Sequence, residues 1–291
     1  MIESLVTDIQ KVLTDGVELT DEQANIFGSR MASLIKTRLV REPRAGTLRM
    51  SNLGKPDRQL WYEVNESHTS EKPHPNAYLK FLYGDVIEEL VIFLAELSGH
   101  KVEGVQDEMN LHGIVGHRDA VIDGMTVDVK SASPFSFKKF QAGLTHDKDA
   151  FGYLAQINNY IVAGEDDPLV IDKTRGGFLA INKVTGDIHL DIHKKSIVPM
   201  DEIIKHKKEV VALPEPPEEK CYPDEPIGKS GNMKLGVNCS YCSHKFKCWE
   251  NLRGFAYSYG PVWLTHVEDE PRVPEIKNDP NELEVGEALE T

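Results

Sequence analysis

The chain has 291 residues, a formal net charge of −14, 40% hydrophobic and 27% charged residues, a composition ordinary for a globular protein and long enough for one large domain or two smaller ones. The acidic balance argues against a protein that coats nucleic acid. It leaves room for an enzyme acting on it, because the distribution of charge matters more than its sum. No apolar run approaches the roughly 20 residues needed to span a bilayer, and the opening "MIESLVTDIQKVL" lacks the basic stretch of a signal peptide, so a cytoplasmic setting without membrane partners is expected.

In chain order, apolar spacing predicts helices within residues 1–40, followed by an irregular stretch over 41–76 in which "HTSEKPHPN" reads as a loop. Tyr78–Leu97 reads as one long amphipathic helix with Gly99 as its stop. A strand is expected near 101–106, then a strand pair within "GHRDAVIDGMTVDVKSAS", residues 116–133. "DAFGYLAQINNYIVAG" predicts a helix ending near Gly164, "PLVIDK" and "GGFLAINKVTGDIHLDIH" predict three strands, and "MDEIIKHKKEVVAL" a further helix. A Pro/Glu-rich linker over 214–226, a cysteine segment, and a tail over 266–291 with nine acids and two bases complete the chain. "GPVWLTHV" before the tail reads as a docking strand. The expected fold class is α/β, a mixed sheet flanked by helices. The expected divisions are an N-terminal helical region (1–76), a core (77–213), a cysteine-rich segment (214–265) and an extended tail.

Asp123-Gly124 is a strong signal for a two-residue type I′ turn. With that turn, Ile122 pairs with Met125, Asp119 falls opposite Asp128, and His117 falls opposite Lys130. Period-two alternation puts these four polar residues on one face and Ala120, Ile122, Met125, Val127 and Val129 on the other. Carboxylates facing each other across an antiparallel pair repel. A divalent cation is the natural compensation, since Mg²⁺ takes carboxylate oxygens and water, and Lys130 beside it is suited to stabilise developing negative charge.

The pattern Asp119…Asp128-Val129-Lys130 resembles the signature of the PD-(D/E)XK nuclease superfamily. Gln156 and Tyr160 in "QINNY", one helical turn apart, resemble the Q-x-x-x-Y motif of its RecB-like exonuclease branch. Gly84 and Glu88 in "YGDVIEEL" resemble that branch's G-x-x-x-(H/E). The resemblance implies a restriction-endonuclease-like core and a deoxyribonuclease using Mg²⁺ or Mn²⁺, held by Asp119, Asp128, an outer Glu88 and the Val129 carbonyl. Lys130, Gln156 and Tyr160 would serve the reaction; His117 shares their face without an assigned role. DNA is the implied partner, as single strands or duplex ends. Phage-encoded exonucleases resemble the chain most, which implies a host-cytoplasmic setting and phage recombination or replication proteins as partners. An endonuclease, such as a protospacer-processing nuclease, and a non-catalytic assembly module on the same fold are the alternatives.

All four cysteines, Cys221, Cys239, Cys242 and Cys248, lie within 28 residues, which points to a metal site rather than a disulfide framework. Cys239-x₂-Cys242-x₅-Cys248, with "LRMSNLGKPDRQLWYEVN" at 48–65, resembles CRISPR-associated and RecB-like nucleases with iron–sulfur clusters. A 4Fe–4S cluster is thus implied, with Asp57 or Cys221 as fourth ligand. Cys221 close by also suits a structural zinc, for which His244 is a further ligand. Lysines at 138–139, 194–195, 205–208 and 245–247 are candidates for holding a DNA backbone, and Phe135, Phe137 and Phe140 for stacking on bases, with some of the three expected in the core instead.

Overall fold

The computed structural model describes residues 1–40, 46–69 and 75–276. The last part of the acidic tail and most of the "HTSEKPHPN" loop therefore lie outside the described residues. The chain divides into two compact units, one formed by residues 1–55 and 74–212, the other by 56–73 and 213–291. The N-terminal helices thus belong with the core, and a short stretch within 41–76 belongs with the cysteine segment.

The first unit begins with α1 (Leu5–Asp15) and α2 (Asp21–Leu39). α2 opens on a capping box in which Thr20 and Gln23 satisfy each other's backbone amides. The second unit takes α3 (Asp57–Asn65), where the sequence predicts irregular chain. The first unit resumes with α4 (Pro75–Leu97), β1 (Val102–Glu103), β2 (Glu108–Leu111), β3 (Ile114–His117), β4 (Ala120–Ile122) and β5 (Met125–Ala132). α5 (Pro134–Gln141), α6 (Tyr153–Ala163), β6 (Arg175–Asn182), β7 (Ile188–Lys194) and α7 (Met200–Val211) complete it. The β2–β3 hairpin and α5 are absent from the sequence-based reading. "PLVIDK", expected as a strand, forms turns: Asp167 Oδ1 accepts the Leu169 amide at 2.9 Å and Asp172 Oδ1 accepts that of Thr174 at 3.0 Å. Such side-chain bonds offer the backbone an alternative to a ladder.

The main sheet runs β1-β4-β5-β6-β7, with β5 and β6 parallel and its other pairs antiparallel. It is mixed and covered by helices on both faces. On one, Leu5 and Ile9 of α1 and Val91, Ile92 and Ala95 of α4 pack on Ala120, Ile122, Val127 and Val129, all buried. On the other, Phe137 and Phe140 of α5 and Ile157 and Ile161 of α6 pack on Phe178 and Ala180. α2 buries no residue fully and is tied to α4 by Arg30–Glu96 and Arg38–Asp85 ion pairs and by stacking of Phe27 on Phe93.

The second unit adds β8 (Glu225–Pro226), β9 (Met233–Lys234), α8 (Val237–Ser240), α9 (Lys245–Cys248), β10 (Arg253–Tyr257), β11 (Gly260–His266) and β12 (Glu275–Ile276). The strands form an antiparallel sheet in the order β12-β10-β11-β9-β8, so "GPVWLTHV" is an internal strand of this sheet. Among the described residues, no helix is long and apolar enough to cross a membrane.

Candidate active site

The hairpin turn forms as its sequence requires. Asp123 and Gly124 take φ of 48° and 80°, and Ile122 pairs with Met125, Val121 with Thr126, and Ala120 with Val127. The ladder then stops. Arg118 breaks the expected strand: its guanidinium, 1% exposed, reaches Asp107 Oδ2 at 2.9 Å, Asp167 Oδ2 at 2.5 Å and the Gly104 carbonyl at 3.3 Å. Gly104 allows this approach, since a Cβ there would lie 2.3 Å from an Arg118 nitrogen. The expected pairing of His117 with Lys130 is therefore wrong. His117 ends β3, pairs with Glu108 of β2 and is exposed.

Asp119 sits in the gap left by the ended ladder. Its Oδ2 accepts the Val129 amide at 2.7 Å, and its backbone carbonyl accepts the Gln106 amide at 3.2 Å. Gln106, at φ 57°, also donates from Nε2 to Glu88 Oε1 at 2.6 Å and to Asp119 Oδ1 at 3.4 Å. One side-chain amide thus joins the helical acid to the acid beside the hairpin. Neither Gln106 nor Arg118 stood out in the sequence.

The rest of the cluster comes from β5 and α6. Asp128 is 1% exposed, and its Oδ2 lies 2.5 Å from Lys130 Nζ. Gln156 donates from Nε2 to Asp128 Oδ1 at 3.2 Å and to Tyr160 Oη at 3.4 Å, and its Oε1 accepts from Lys130 at 3.4 Å. Lys130 Nζ also stands 4.6 Å from the centre of the Tyr153 ring. The structure therefore brings together Glu88, Asp119, Asp128, Lys130, Gln156 and Tyr160. Gly84 passes the same strand, a Cβ there reaching Ser131 at 3.9 Å.

Burial, then the neighbouring Asp128 charge, pushes the Asp119 carboxyl well above the usual carboxylate range and that of Glu88 up to about 7. Burial disfavours the Lys130 ammonium, but Asp128 and Asp119 outweigh it and hold that group more firmly protonated than an ordinary lysine. Burial raises the Tyr160 phenol to about 12. As placed, no three His, Cys, Asp or Glu side chains among the described residues surround a common point closely enough to hold a metal. The carboxylate oxygens are shared among Lys130, Gln106, Gln156 and the Val129 amide. The donors themselves, a buried Asp128 beside half-buried Asp119 and Glu88, repel one another and suit a hard divalent cation.

In the second unit the four cysteines line one cavity with Arg58 and Tyr62. Arg58 Nε donates to Cys248 Sγ at 3.2 Å, and its other nitrogens reach the Pro217 carbonyl and Tyr62 Oη. Lys220 donates to the Cys248 carbonyl. Burial raises the thiols of Cys221, Cys239 and Cys242, that of Cys239 to about 11, and the neighbouring thiols add to the rise. Asp57 opens α3 but does not line the cavity, whereas Cys221 and His244 do. The four cysteines share that cavity without closing on a common point, and four thiolates as a donor set would suit either a 4Fe–4S cluster or zinc.

The chain matches no family model and no curated protein. Among solved structures it is similar to that titled "Crystal structure of SSO0001", at a TM-score of 0.39 and 14% identity over 77% of this chain and 96% of that one.

Proposed function

We propose that the first unit is a PD-(D/E)XK nuclease core of the RecB-like branch, and that the chain is a Mg²⁺- or Mn²⁺-dependent DNA exonuclease. One observation carries the reading: Asp119, Asp128 and Glu88, acids separated by up to 40 residues in sequence, gather around Lys130 and the Gln156–Tyr160 pair.

Asp119, Asp128 and Glu88, with the Val129 carbonyl, would hold the cation. When bound it would lower the pKa of a coordinated water and neutralise charge on the scissile phosphate. Lys130, kept charged by its two aspartates, donates to a phosphoryl oxygen as negative charge builds there. Gln156 keeps Lys130 aimed, and Tyr160 fixes Gln156 from the next helical turn. Gln106, which donates to Glu88 and Asp119, would have to give up those carboxylates for them to serve as metal ligands. In the second unit, Cys221, Cys239, Cys242 and Cys248 would hold a 4Fe–4S cluster with a structural role.

Digestion of end-labelled single- and double-stranded DNA tests the reading. Mg²⁺ should support degradation from ends, and covalently closed circles should resist. Asp119→Ala, Asp128→Ala and Lys130→Ala should each abolish cutting while the circular dichroism spectrum stays native. Normal cutting by all three variants would overturn the assignment.

A further inference from the structure

We infer that an unpaired DNA strand lies over the surface formed by the start of α5 and the turn before α6, with bases stacked on Phe135 and Phe151. The inference rests on the nuclease reading and adds the form of the substrate. Of the three phenylalanines that follow the site lysine, Phe137 and Phe140 are buried in the core, whereas Phe135 is 75% exposed. Phe151, in the turn before α6, is 55% exposed. Isolated surface apolar residues are common; these two are set apart by what supports them.

Phe151 leads directly to the site. Its ring lies 5.5 Å from that of Tyr153, and Tyr153 lies against Lys130. The turn that presents Phe151 is pinned. Asp149 accepts the amides of Tyr153 and Leu154 at 2.9 and 2.8 Å. Gly152, at φ 76°, packs so closely on the Gly54 backbone that a Cβ would come within 2.8 Å of it. A rigid exposed ring loses little freedom when a flat partner stacks on it.

Phe135 stands on the second support. Lys139 lies 5.3 Å from its ring centre and donates to the Lys148 carbonyl at 2.9 Å, joining α5 to the turn. Between residues 134 and 152 there are three lysines and two acids, a local excess of positive charge in a chain of net charge −14, and one of those acids, Asp149, is turned onto the amides of α6. Exposed rings among lysines match a single strand, whose bases are free to stack and whose phosphates need cations. A duplex keeps its bases paired and offers the rings nothing.

Fluorescence anisotropy with the full-length protein, a labelled 20-residue oligo-dT and Ca²⁺ in place of Mg²⁺ tests this. Phe135→Ala and Phe151→Ala should each weaken binding by about five- to a hundred-fold, while Ile171→Ala, exposed beside the hairpin turn, should not. An unlabelled duplex of equal length should compete poorly. Wild-type affinity in both phenylalanine variants, or equal competition by duplex, overturns the inference. If the rings are needed for binding but the wild type never cuts DNA with Mg²⁺, the binding surface stands and the nuclease reading falls. If DNA is degraded but the variants bind normally, the reverse holds.

Discussion

The Asp119 carboxylate accepts the Val129 amide at 2.7 Å, so an acid just outside one hairpin strand is anchored on the backbone of the other. The same half-buried carboxyl lies beside Asp128 and Glu88, and desolvation and those charges hold it well above its ordinary range. An acid whose folded pKa is raised binds more protons folded than unfolded, so stability falls as pH rises through the interval between the two values. For Glu88 that interval runs from 4.5 to about 7. Metal-free protein should therefore melt lower at pH 7.5 than at pH 5.5 on account of this cluster, and Glu88→Gln should raise Tm at pH 7.5 by a few degrees. Mn²⁺ should stabilise the wild type but not Asp128→Asn. Differential scanning fluorimetry across pH, with and without metal, reads all three effects.

Arg118 holds the break that frees Asp119 from the ladder. Its removal opens space in the interior and takes a partner from Asp167 and from the more exposed Asp107, which should cost about 2–4 kcal/mol, chiefly from the lost packing. Arg118→Lys should recover only part of this, because an ammonium cannot satisfy two carboxylates and a carbonyl in a fixed planar fork. Urea denaturation measures the loss. The proposed nuclease activity should fall as well, though Arg118 does not reach the acid cluster itself.

Gly124 sets the hairpin register. Its φ of 80° is strained for any other side chain, and a Cβ would lie 2.7 Å from Ile171. Gly124→Ala should lower stability by about 1–2 kcal/mol. Because Asp119 and Asp128 are positioned through this register, kcat should drop more than KM changes; steady-state digestion separates the two.

His100 clips the hairpin turn to the first helix. It is nearly buried, with Nδ1 2.7 Å from Asp123 Oδ2 and Nε2 3.4 Å from Asp8 Oδ2. His100→Ala should destabilise the protein by about 2 kcal/mol. Asp123 is held below its usual range: burial opposes the shift, but bonds from His100 and the Lys101 amide prevail. Its contribution is therefore present above the unfolded carboxyl pKa and is lost as pH falls below it. The variant should consequently show a weaker acid-side loss of stability in urea titrations at successive pH values.

Cys221 lines the thiol cavity beside the closely spaced trio. Anaerobically purified protein should absorb at about 400 nm as a 4Fe–4S cluster does. Cys221→Ser should bleach that band, whereas Asp57→Ala should retain it. A colourless protein with one zinc per chain would replace the cluster with a structural zinc.

The hairpin was legible because its determinants are local: Asp123-Gly124 demands one turn, and the alternation around it demands one register. The apolar face of Ala120, Ile122, Met125, Val127 and Val129 followed directly, and all five are buried. What escaped reading depends on distant partners. The break at Arg118 needs Asp167, 49 residues away. Gln106 matters only because α4 brings Glu88 to it. α3 is short and lacks a side-chain cap, and Trp61 bonds the Leu213 carbonyl far along the chain. α5 did carry a local signal, Ser133 as a cap followed by Pro134, and Phe137 and Phe140 enter the core as expected of some of its phenylalanines, but their spacing alone does not separate a helix from a loop.

β5 lies in the middle of its sheet, paired through seven residues with β6 and covered by helices on both faces. Amide exchange in such a strand requires opening of the whole unit rather than local fraying. The backbone of Asp128 and Lys130 should therefore exchange with the slowest protons in the protein. Thermal loss of the proposed activity should coincide with global melting rather than precede it, unlike in enzymes whose reactive groups ride on a mobile loop.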